Sequence, residues 1–149
     1  MATGLVNGTD LLLKVGSSNS NEVVVAFATS CSLEVSMDEI DQTNKDSNGW
    51  KQIIGGLRSW SVSSDALYQN EAETSKTAFT DFWDHLGGAN ERQKVFVEFT
   101  RSGTLTSDNK YYHGEAYVTS LSVNGGTEDQ STFSVTLTGS GALTEADGA

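Results

Sequence analysis

Apolar and polar side chains alternate along several segments of this chain, and this alternation limits the fold more than any other feature. Successive side chains of a β-strand point to opposite faces, so each such segment predicts a strand with one buried and one solvated face. The apolar faces carry Leu33, Val35 and Met37; Trp60, Val62, Ala66 and Tyr68; and Phe133, Val135 and Leu137. The polar faces carry Ser32, Glu34 and Ser36; Ser59, Ser61, Ser63 and Asp65; and Ser134, Thr136 and Thr138.

Other segments extend this prediction to a mainly β fold. Residues 10–15 and 94–101 predict short strands, and residues 23–30 are apolar on both faces, which predicts one buried strand. Residues 111–124 keep one apolar face only if a β-bulge lies near Thr119-Ser120. Gly125-Gly126 then predicts the hairpin turn that follows.

A single amphipathic helix interrupts the strands. Four large apolar residues recur at i, i+3, i+4 and i+7 and form one stripe: Phe79, Phe82, Trp83 and Leu86. Asn70 with Glu73 resembles a capping box, and Gly87-Gly88 supplies a C-terminal stop. We therefore expect the whole stripe to pack on the sheet, with Trp83→Ala costing roughly 3–5 kcal/mol.

Residues 38–49, DEIDQTNKDSNG, predict a long acidic loop between two strands. Compact domains rarely keep a structureless loop of about a dozen residues unless it makes contacts of its own. Trp50 follows the loop with no strand pattern to bury it. The chain also contains no proline, a residue that often blunts sheet edges, and this favours edges that pair between subunits.

The 149 residues predict a single domain, 1–149, with residues 1–8 as a flexible N-terminal arm and residues 144–149 as a flexible tail. The longest apolar run, residues 23–28, is far shorter than a membrane span. No secretory signal is visible at the N-terminus. Cys31 is the only cysteine, so no intrachain disulfide can form.

Twenty acids against nine bases give a net charge of -11. A nucleic-acid-binding protein needs positive charge to neutralise phosphates, so this chain repels DNA on average. Two interpretations remain open. The acidity either serves solubility or provides a surface past which DNA moves without adhering.

Residues with catalytic potential are few and scattered. A nucleophilic site would need Cys31, His85 or His113 within hydrogen-bond reach of one another, and nothing in the sequence brings them together. Asn44, Asp46 and Asn48 imitate the start of a calcium loop, but Gly55 stands where a glutamate ligand belongs. We predict no enzymatic activity, no cofactor and no metal site, with an unrecognised hydrolase as a distant alternative.

Aromatic residues leave a binding alternative open. A carbohydrate-binding β-sandwich would use exposed rings, for which the candidates are Trp50, Tyr68, Tyr111, Tyr112 and Tyr117. Aromatic residues in β-proteins are more often core or cross-strand partners, and Trp50 is the exception.

Three segments in order carry a resemblance to a known family: GTDLLLKV at 8–15, GWKQIIGGLRSWSVS at 49–63 and FSVTLTGSGALT at 133–144. The sequence resembles the major tail protein, or tail tube, family of long-tailed phages and gene transfer agents. The resemblance implies a tail-tube-type β-sandwich or half-barrel. One amphipathic helix packs on its sheet, and a long inter-strand loop mediates stacking. A tube protein of a contractile injection system shares this fold and is the related alternative.

The same resemblance implies a structural protein of the virion tail, assembled in the host bacterial cytoplasm. Hexameric rings of the protein would stack into a tube through which genome DNA passes without specific binding, and no membrane is involved. Each subunit would give strands to a continuous inner barrel. The implied partners are other copies of the chain and the tape-measure, tail-terminator and distal tail proteins.

Two sets of candidate site residues follow as hypotheses. The residues expected to line the lumen are Glu34, Ser61, Ser63, Asp65, Glu115, Ser134 and Thr136. Those expected to form the ring-stacking loop, which would be disordered in a free subunit, are Asp38, Glu39, Asp41, Asp46 and Trp50.

Overall fold

The structure, a computed structural model, describes residues 8–16, 23–25, 28–69, 77–101 and 109–148. Those ranges contain eight strands and one α-helix, which confirms the mainly β prediction. The strands are β1 (Leu11–Gly16), β2 (Val23–Val24), β3 (Ala28–Asp41), β4 (Ile53–Leu67), β5 (Val95–Arg101), β6 (Lys110–Asn124), β7 (Thr132–Gly139) and β8 (Thr144–Asp147). Helix α1 spans Phe79–Leu86, and short 3-10 turns occupy Gly8–Asp10 and Lys45–Ser47.

All eight strands join one antiparallel sheet. Its order is β2-β1-β5-β6-β7-β4-β3, and β8 pairs with the beginning of β6. The terminal strand β3 returns towards β1, since the Cys31 thiol donates a hydrogen bond to the Leu11 carbonyl oxygen at 3.6 Å. The sheet therefore curls around a single apolar cluster to which β1, β4, β5, β6 and β7 all contribute.

Helix α1 covers this cluster near the start of β7. Phe82 is almost fully buried and its ring centroid lies 6.1 Å from that of Phe133. Phe79 contacts Phe133 edge-on at 5.7 Å and Tyr68 at 5.2 Å. These rings fix the helix at the end of β4 and the beginning of β7.

The prediction that the whole apolar stripe of α1 is core is wrong for two of its four residues. Trp83 is 52% exposed and Leu86 is 39% exposed in the chain, whereas Phe79 and Phe82 pack inward as expected. The eight-residue helix packs on the sheet through its first turn, where Phe79 and Phe82 contact Phe133, so the far side of the stripe remains in solvent. Trp83→Ala is consequently not among the most damaging changes to the isolated fold.

The ends of α1 are set by local hydrogen bonds. The N-cap residue Ala78 has no capping side chain, but its amide donates to the carboxylate of Asp81 in the first turn at 2.8 Å. Thr77 still forms a bridge to Val25, which is why the helix cannot begin earlier. The predicted capping pair, Asn70 and Glu73, lies outside the described residues. The predicted stop is confirmed, because the Gly87 amide donates to the Trp83 carbonyl at 2.9 Å.

Several predicted boundaries need correction. Residues 23–30 do not form one buried strand, since β2 pairs with β1 while β3 begins at Ala28 and pairs with β4. The expected flexible tail contains β8, whose Thr144–Asp147 backbone pairs with β6. The β6–β7 connection turns at Glu128, where φ is 69°, and not at Gly125-Gly126. The bulge in β6 is confirmed between Val118 and Ser120.

The acidic segment 38–49 is also more regular than predicted. β3 continues through Asp41, and its backbone pairs Glu39 with Gly55, Ile40 with Ile54 and Asp41 with Ile53. A register shift between Met37 and Glu39 breaks the apolar alternation at this point, which made the segment resemble a loop. The connection between β3 and β4 is therefore residues 42–52.

Candidate functional site

A continuous polar surface covers one face of strands β6, β7, β4 and β3. The antiparallel register sets Ser32 opposite Ser63 and Ser63 opposite Thr136 in one row. The next row sets Glu34 opposite Ser61 and Ser61 opposite Thr138. We call this surface the hydroxyl face; its members are Ser32, Glu34, Ser36, Ser59, Ser61, Ser63, Asp65, Tyr117, Thr119, Ser134, Thr136 and Thr138.

Hydroxyl pairs hold this face together across the strands. Ser32 and Ser63 lie 2.6 Å apart, and Ser36 and Ser59 lie 2.9 Å apart, between side-chain oxygens. Thr119 and Thr138 are similarly linked at 3.0 Å. Cross-strand hydroxyl pairs stabilise neighbouring strands by a few tenths of a kcal/mol up to about 1 kcal/mol each. Three hydroxyl pairs therefore link neighbouring strands across the hydroxyl face.

Asp65 is the most constrained acid on the hydroxyl face. The Ser134 hydroxyl donates to one of its carboxylate oxygens at 2.5 Å, and the Ser30 hydroxyl donates to the other at 2.9 Å. These two hydrogen bonds, first that of Ser134 and then that of Ser30, hold the pKa of Asp65 below its ordinary value. Asp65 thus keeps a fixed negative charge within a field of neutral hydroxyls.

The other two acidic lumen candidates differ from Asp65. Glu34 is exposed on the edge strand β3, in the same row as Ser61. Glu115 lies farther along β6, where Lys94 neutralises it through a 3.1 Å ion pair. The structure thus brings the candidates Glu34, Ser61, Ser63, Asp65, Ser134 and Thr136 onto one surface, with Glu115 at its margin.

The hairpin of β3 and β4 extends beyond the rest of the sheet. Pairing of β4 with β7 begins only at Ser61, so the backbone of residues 53–60 pairs with β3 alone. At about 3.3 Å per residue, the hairpin extends roughly 25 Å past the last β7 partner. We call residues 35–60, which include this extension and its tip, the projecting hairpin.

Large apolar side chains are exposed along the projecting hairpin. Leu57 is 81% exposed and Trp50 is 78% exposed. The remaining exposed apolar residues of this segment are Val35, Met37, Ile40, Ile53 and Ile54. Soluble monomers rarely present so many large apolar groups together, and such surfaces mark protein–protein contacts. Sequence reasoning identified only Trp50, although the adjacent Ile53-Ile54 pair, apolar on both strand faces, was an available signal.

The tip of the projecting hairpin has a defined conformation in the structure. The Asn44 side chain accepts from the Asp46 amide at 2.9 Å, and the Asn44 amide donates to the Ser47 hydroxyl at 3.0 Å. Asn48 and Gly49 then adopt positive φ angles of 53° and 85°. This left-handed pair turns the chain and presents Trp50 outwards.

The four acidic residues expected in the stacking loop lie in β3 and at the hairpin tip. Asp38, Glu39 and Asp41 belong to β3, while Asp46 lies in the 3-10 turn, and all four are exposed. Glu39 forms an exposed ion pair with Lys51 at 3.2 Å. Hydrogen bonds from Thr43, first that of its side chain and then that of its amide at 2.8 Å, lower the pKa of Asp41. The tip and the adjoining part of β3 thus combine exposed acidic side chains with the exposed indole of Trp50.

The surface formed by β6, β7, β4 and β3 has an unpaired strand edge on each side in the described part of the chain. β3 pairs with β4 along one side only. β6 pairs with β5 as far as Ala116, which leaves residues 117–124 open on the side away from β7. These edges bound the same four-stranded surface on opposite sides, and unpaired backbone groups of this kind are templates for pairing with another chain.

Groups with catalytic potential are not assembled. Cys31 faces the Leu11 carbonyl, and burial raises the pKa of its thiol. The Nδ1 atom of His85 is hydrogen-bonded to the Asp81 carbonyl oxygen at 2.9 Å. The His113 ring stacks on Phe96 with 5.6 Å between ring centroids. Among the described residues, no group of three or more His, Cys, Asp or Glu side chains could hold a metal ion. The calcium-like asparagines instead build the hairpin tip. In the described ranges no helix has the length and apolarity needed to cross a membrane.

Comparison with known proteins adds independent information. Residues 5–145 match the family model described as phage tail tube protein. No curated protein matches the sequence.

Solved structures of similar fold were also found. The tail of an empty gene transfer agent (GTA) particle, refined with helical and C6 symmetry, aligns with a TM-score of 0.72 and 19% identity. The alignment covers 95% of this chain and 99% of that one. The SPP1 tail tube aligns with a TM-score of 0.75 and 11% identity, covering 97% of this chain and 80% of that one. A chain of the anti-feeding prophage (AFP) baseplate aligns with a TM-score of 0.70 and 13% identity, covering 99% and 98%.

Proposed function

Since this chain belongs to the phage tail tube protein family, we propose that copies of it form hexameric rings that stack into a hollow tube for genome delivery. Six-fold symmetry is stated for the GTA tail of similar fold, and it enters here as part of the proposal. The role is structural and passive, in the tail of a virion, with no turnover. The observation that carries the proposal is the pair of open strand edges on the two sides of one hydroxyl-covered sheet.

Lateral contact within a ring uses these two edges. The free edge of β3 in one copy pairs with residues 117–124 of β6 in the next, so that the four-stranded sheets join into one closed barrel. Exposed apolar groups near both edges support this pairing, with Val35 and Met37 on β3 and Val123 on β6. Closure of the barrel pairs these two edges and covers these side chains.

The hydroxyl face of each copy lines the bore of this barrel. Glu34 and Asp65 from each copy then form rings of negative charge, while serine and threonine keep the wall wet. Duplex DNA carries one charge per roughly 1.7 Å of its axis, so a wall of like charge opposes close phosphate contacts. Screening over about 8–10 Å limits the repulsion to short range. DNA stays hydrated and slides, with no specific binding.

Stacking between rings uses the projecting hairpin. Its apolar side chains need a protein surface to cover them, and its length of roughly 25 Å past β7 suits contact with a neighbouring ring. The ordered tip supports this role, because a pre-formed turn loses less conformational entropy on docking than a disordered loop. Tape-measure, tail-terminator and distal tail proteins would occupy the tube lumen and its two ends.

A second candidate function is the inner tube of a contractile injection system, which carries effectors instead of a genome. The alignment with the AFP baseplate chain supports this second candidate, because it covers nearly all of both chains with a TM-score of 0.70. Both functions share the same ring and tube, so they differ in cargo and in the presence of a sheath.

Electron microscopy of the purified protein tests assembly directly. We expect rings or tubes, whereas dispersed monomers at all concentrations would contradict the proposal.

Particles carrying Glu34→Lys together with Asp65→Lys test the conduit. We expect these particles to assemble but to eject DNA slowly or incompletely, and ejection at the normal rate would contradict the proposed role of the acidic wall.

A further inference from the structure

Two groups of exposed apolar side chains lie at opposite ends of β4. The projecting hairpin is at the Ile53 end. Helix α1 is at the other end, because Phe133, which contacts Phe79 and Phe82, pairs with Ala66. The strand has 15 residues, which places the two ends about 45 Å apart at 3.3 Å per residue.

The exposed group on the helix consists of Trp83 and Leu86, which we call the helix patch. These residues lie three positions apart and therefore neighbour each other on one side of α1. The Trp83 ring lies against Gly87, where an added Cβ would be 3.3 Å from its Cη2 atom. The indole is thus supported on the backbone side and open on the other.

Identical rings that stack by one repeated step make head-to-tail contacts. In such a contact two different surfaces of the same chain meet, so the projecting hairpin needs an apolar counterpart elsewhere. Outside the hairpin, the large exposed apolar residues of the described chain are Trp83, Leu86, Tyr117 and Val123. Tyr117 belongs to the hydroxyl face and Val123 to the β6 edge, which leaves the helix patch.

We infer that the helix patch of one copy is the docking site for the projecting hairpin of a copy in the next ring. This inference rests on the proposed tube function and names the receiving surface of its stacking contact. Trp83 is the expected centre of the contact, since a half-exposed tryptophan that becomes fully desolvated is a typical interface hot spot. Burial of Trp83 in the assembled tube would also explain why this large aromatic side chain is half exposed in the single chain.

Two variants with complementary defects test the pairing. Trp83→Glu damages the helix patch and keeps the hairpin intact, whereas Trp50→Glu damages the hairpin tip and keeps the patch intact. Both tryptophans are more than half exposed, so we expect urea midpoints close to that of the wild type. Each variant alone should give single rings by electron microscopy. Asn90→Glu, which adds the same charge at an exposed site just beyond the helix, is the matched control and should still form tubes.

Mixing the two purified variants gives the decisive result. Intact hairpins of the Trp83→Glu ring can dock on intact patches of the Trp50→Glu ring, and both outer ends of that pair are defective. We therefore expect stacks that stop at two rings. Tubes of wild-type length from Trp83→Glu alone, or no two-ring stacks in the mixture, would overturn the inference. Leu86→Asp provides a second test of the patch if Trp83→Glu unfolds.

The wild-type chain separates this inference from the proposed function. Absence of rings and tubes from the wild type would contradict the tube function itself. Wild-type tubes together with normal tubes from the patch variants would contradict only the docking site.

Discussion

Substitution of Gly139 by alanine should weaken the base of the projecting hairpin through a clash with one buried side chain. Trp60 pairs with Val35 at that base and is almost fully buried. Its indole occupies a niche made by two glycines. An added Cβ would lie 2.1 Å from Trp60 Cε2 at Gly139 and 2.7 Å from Trp60 Cζ2 at Gly114. The indole N–H also donates to the Gly141 carbonyl at 3.1 Å, which fixes the ring in place.

The expected magnitude follows from this geometry. Overpacking of a filled core site costs typically about 1–3 kcal/mol, and the 2.1 Å approach to a hydrogen-bonded ring favours the upper part of that range. Trp60→Ala should cost about 3–5 kcal/mol through lost packing and the resulting cavity. In the Trp60→Ala background the clash is absent, so Gly139→Ala should be nearly neutral. The double-mutant cycle should therefore show a coupling of about 1–3 kcal/mol.

The free energy of unfolding is measured by urea denaturation of unassembled subunits, with far-ultraviolet circular dichroism as the signal. This signal does not depend on tryptophan emission, so it serves the wild type, both single variants and the double variant alike. Gly8→Ala is the control, because an added Cβ at Gly8 meets no heavy atom within 4 Å. Equal destabilisation by Gly139→Ala in the presence and absence of Trp60 would refute the reasoning, and so would a neutral effect in the wild-type background.

Two further predictions concern single side chains. Phe82→Ala should lower the free energy of unfolding by about 3–5 kcal/mol, while Trp83→Ala should lower it by less than about 1 kcal/mol, because Phe82 is 1% exposed and Trp83 is 52% exposed. Equal urea midpoints for these two variants would show that the helix packs differently. Hydrogen bonds lower the pKa of Asp65 in the folded chain, so its stabilising effect is present above the ordinary aspartate pKa of about 3.9 and is lost as pH falls through the lowered value. Wild type should therefore exceed Asp65→Asn in stability at pH 7, and the gap between their urea midpoints should shrink as the pH falls below the ordinary aspartate pKa; a constant gap at all pH values would contradict this assignment.

Much of the sheet could be predicted from side-chain alternation, because a half-buried strand imposes a period of two. The bulge in β6 was predictable for the same reason, since the apolar face of residues 111–124 stays continuous only with one extra residue near Ser120. The hydroxyl face followed from the polar half of that pattern. Strand order and register then placed Ser63 beside both Ser32 and Thr136, which no local pattern specifies.

Predictions failed where the structure depends on pairing or packing with residues far away in the sequence. A register shift after Met37 interrupts the alternating pattern, so the continuation of β3 could not be recognised from the sequence. The acidic sequence that follows is typical of a loop, although its backbone is paired with β4. Helical periodicity identified the stripe of α1 but not its orientation, so Trp83 was assigned to the core. β8 is short and is held by its backbone pairing and by ion pairs of Lys110 with Glu145 and Asp147. Such non-local contacts leave little signal in a four-residue strand.

The central structural claim is that the hydroxyl face of the sheet faces the bore. A cryo-electron microscopy reconstruction of assembled tubes tests this claim directly. We expect density for Ser61, Asp65 and Thr136 on the inner wall, with β3 of each subunit paired to β6 of its neighbour. A reconstruction with these side chains on the outer surface, or with β3 unpaired between subunits, would contradict the proposed architecture.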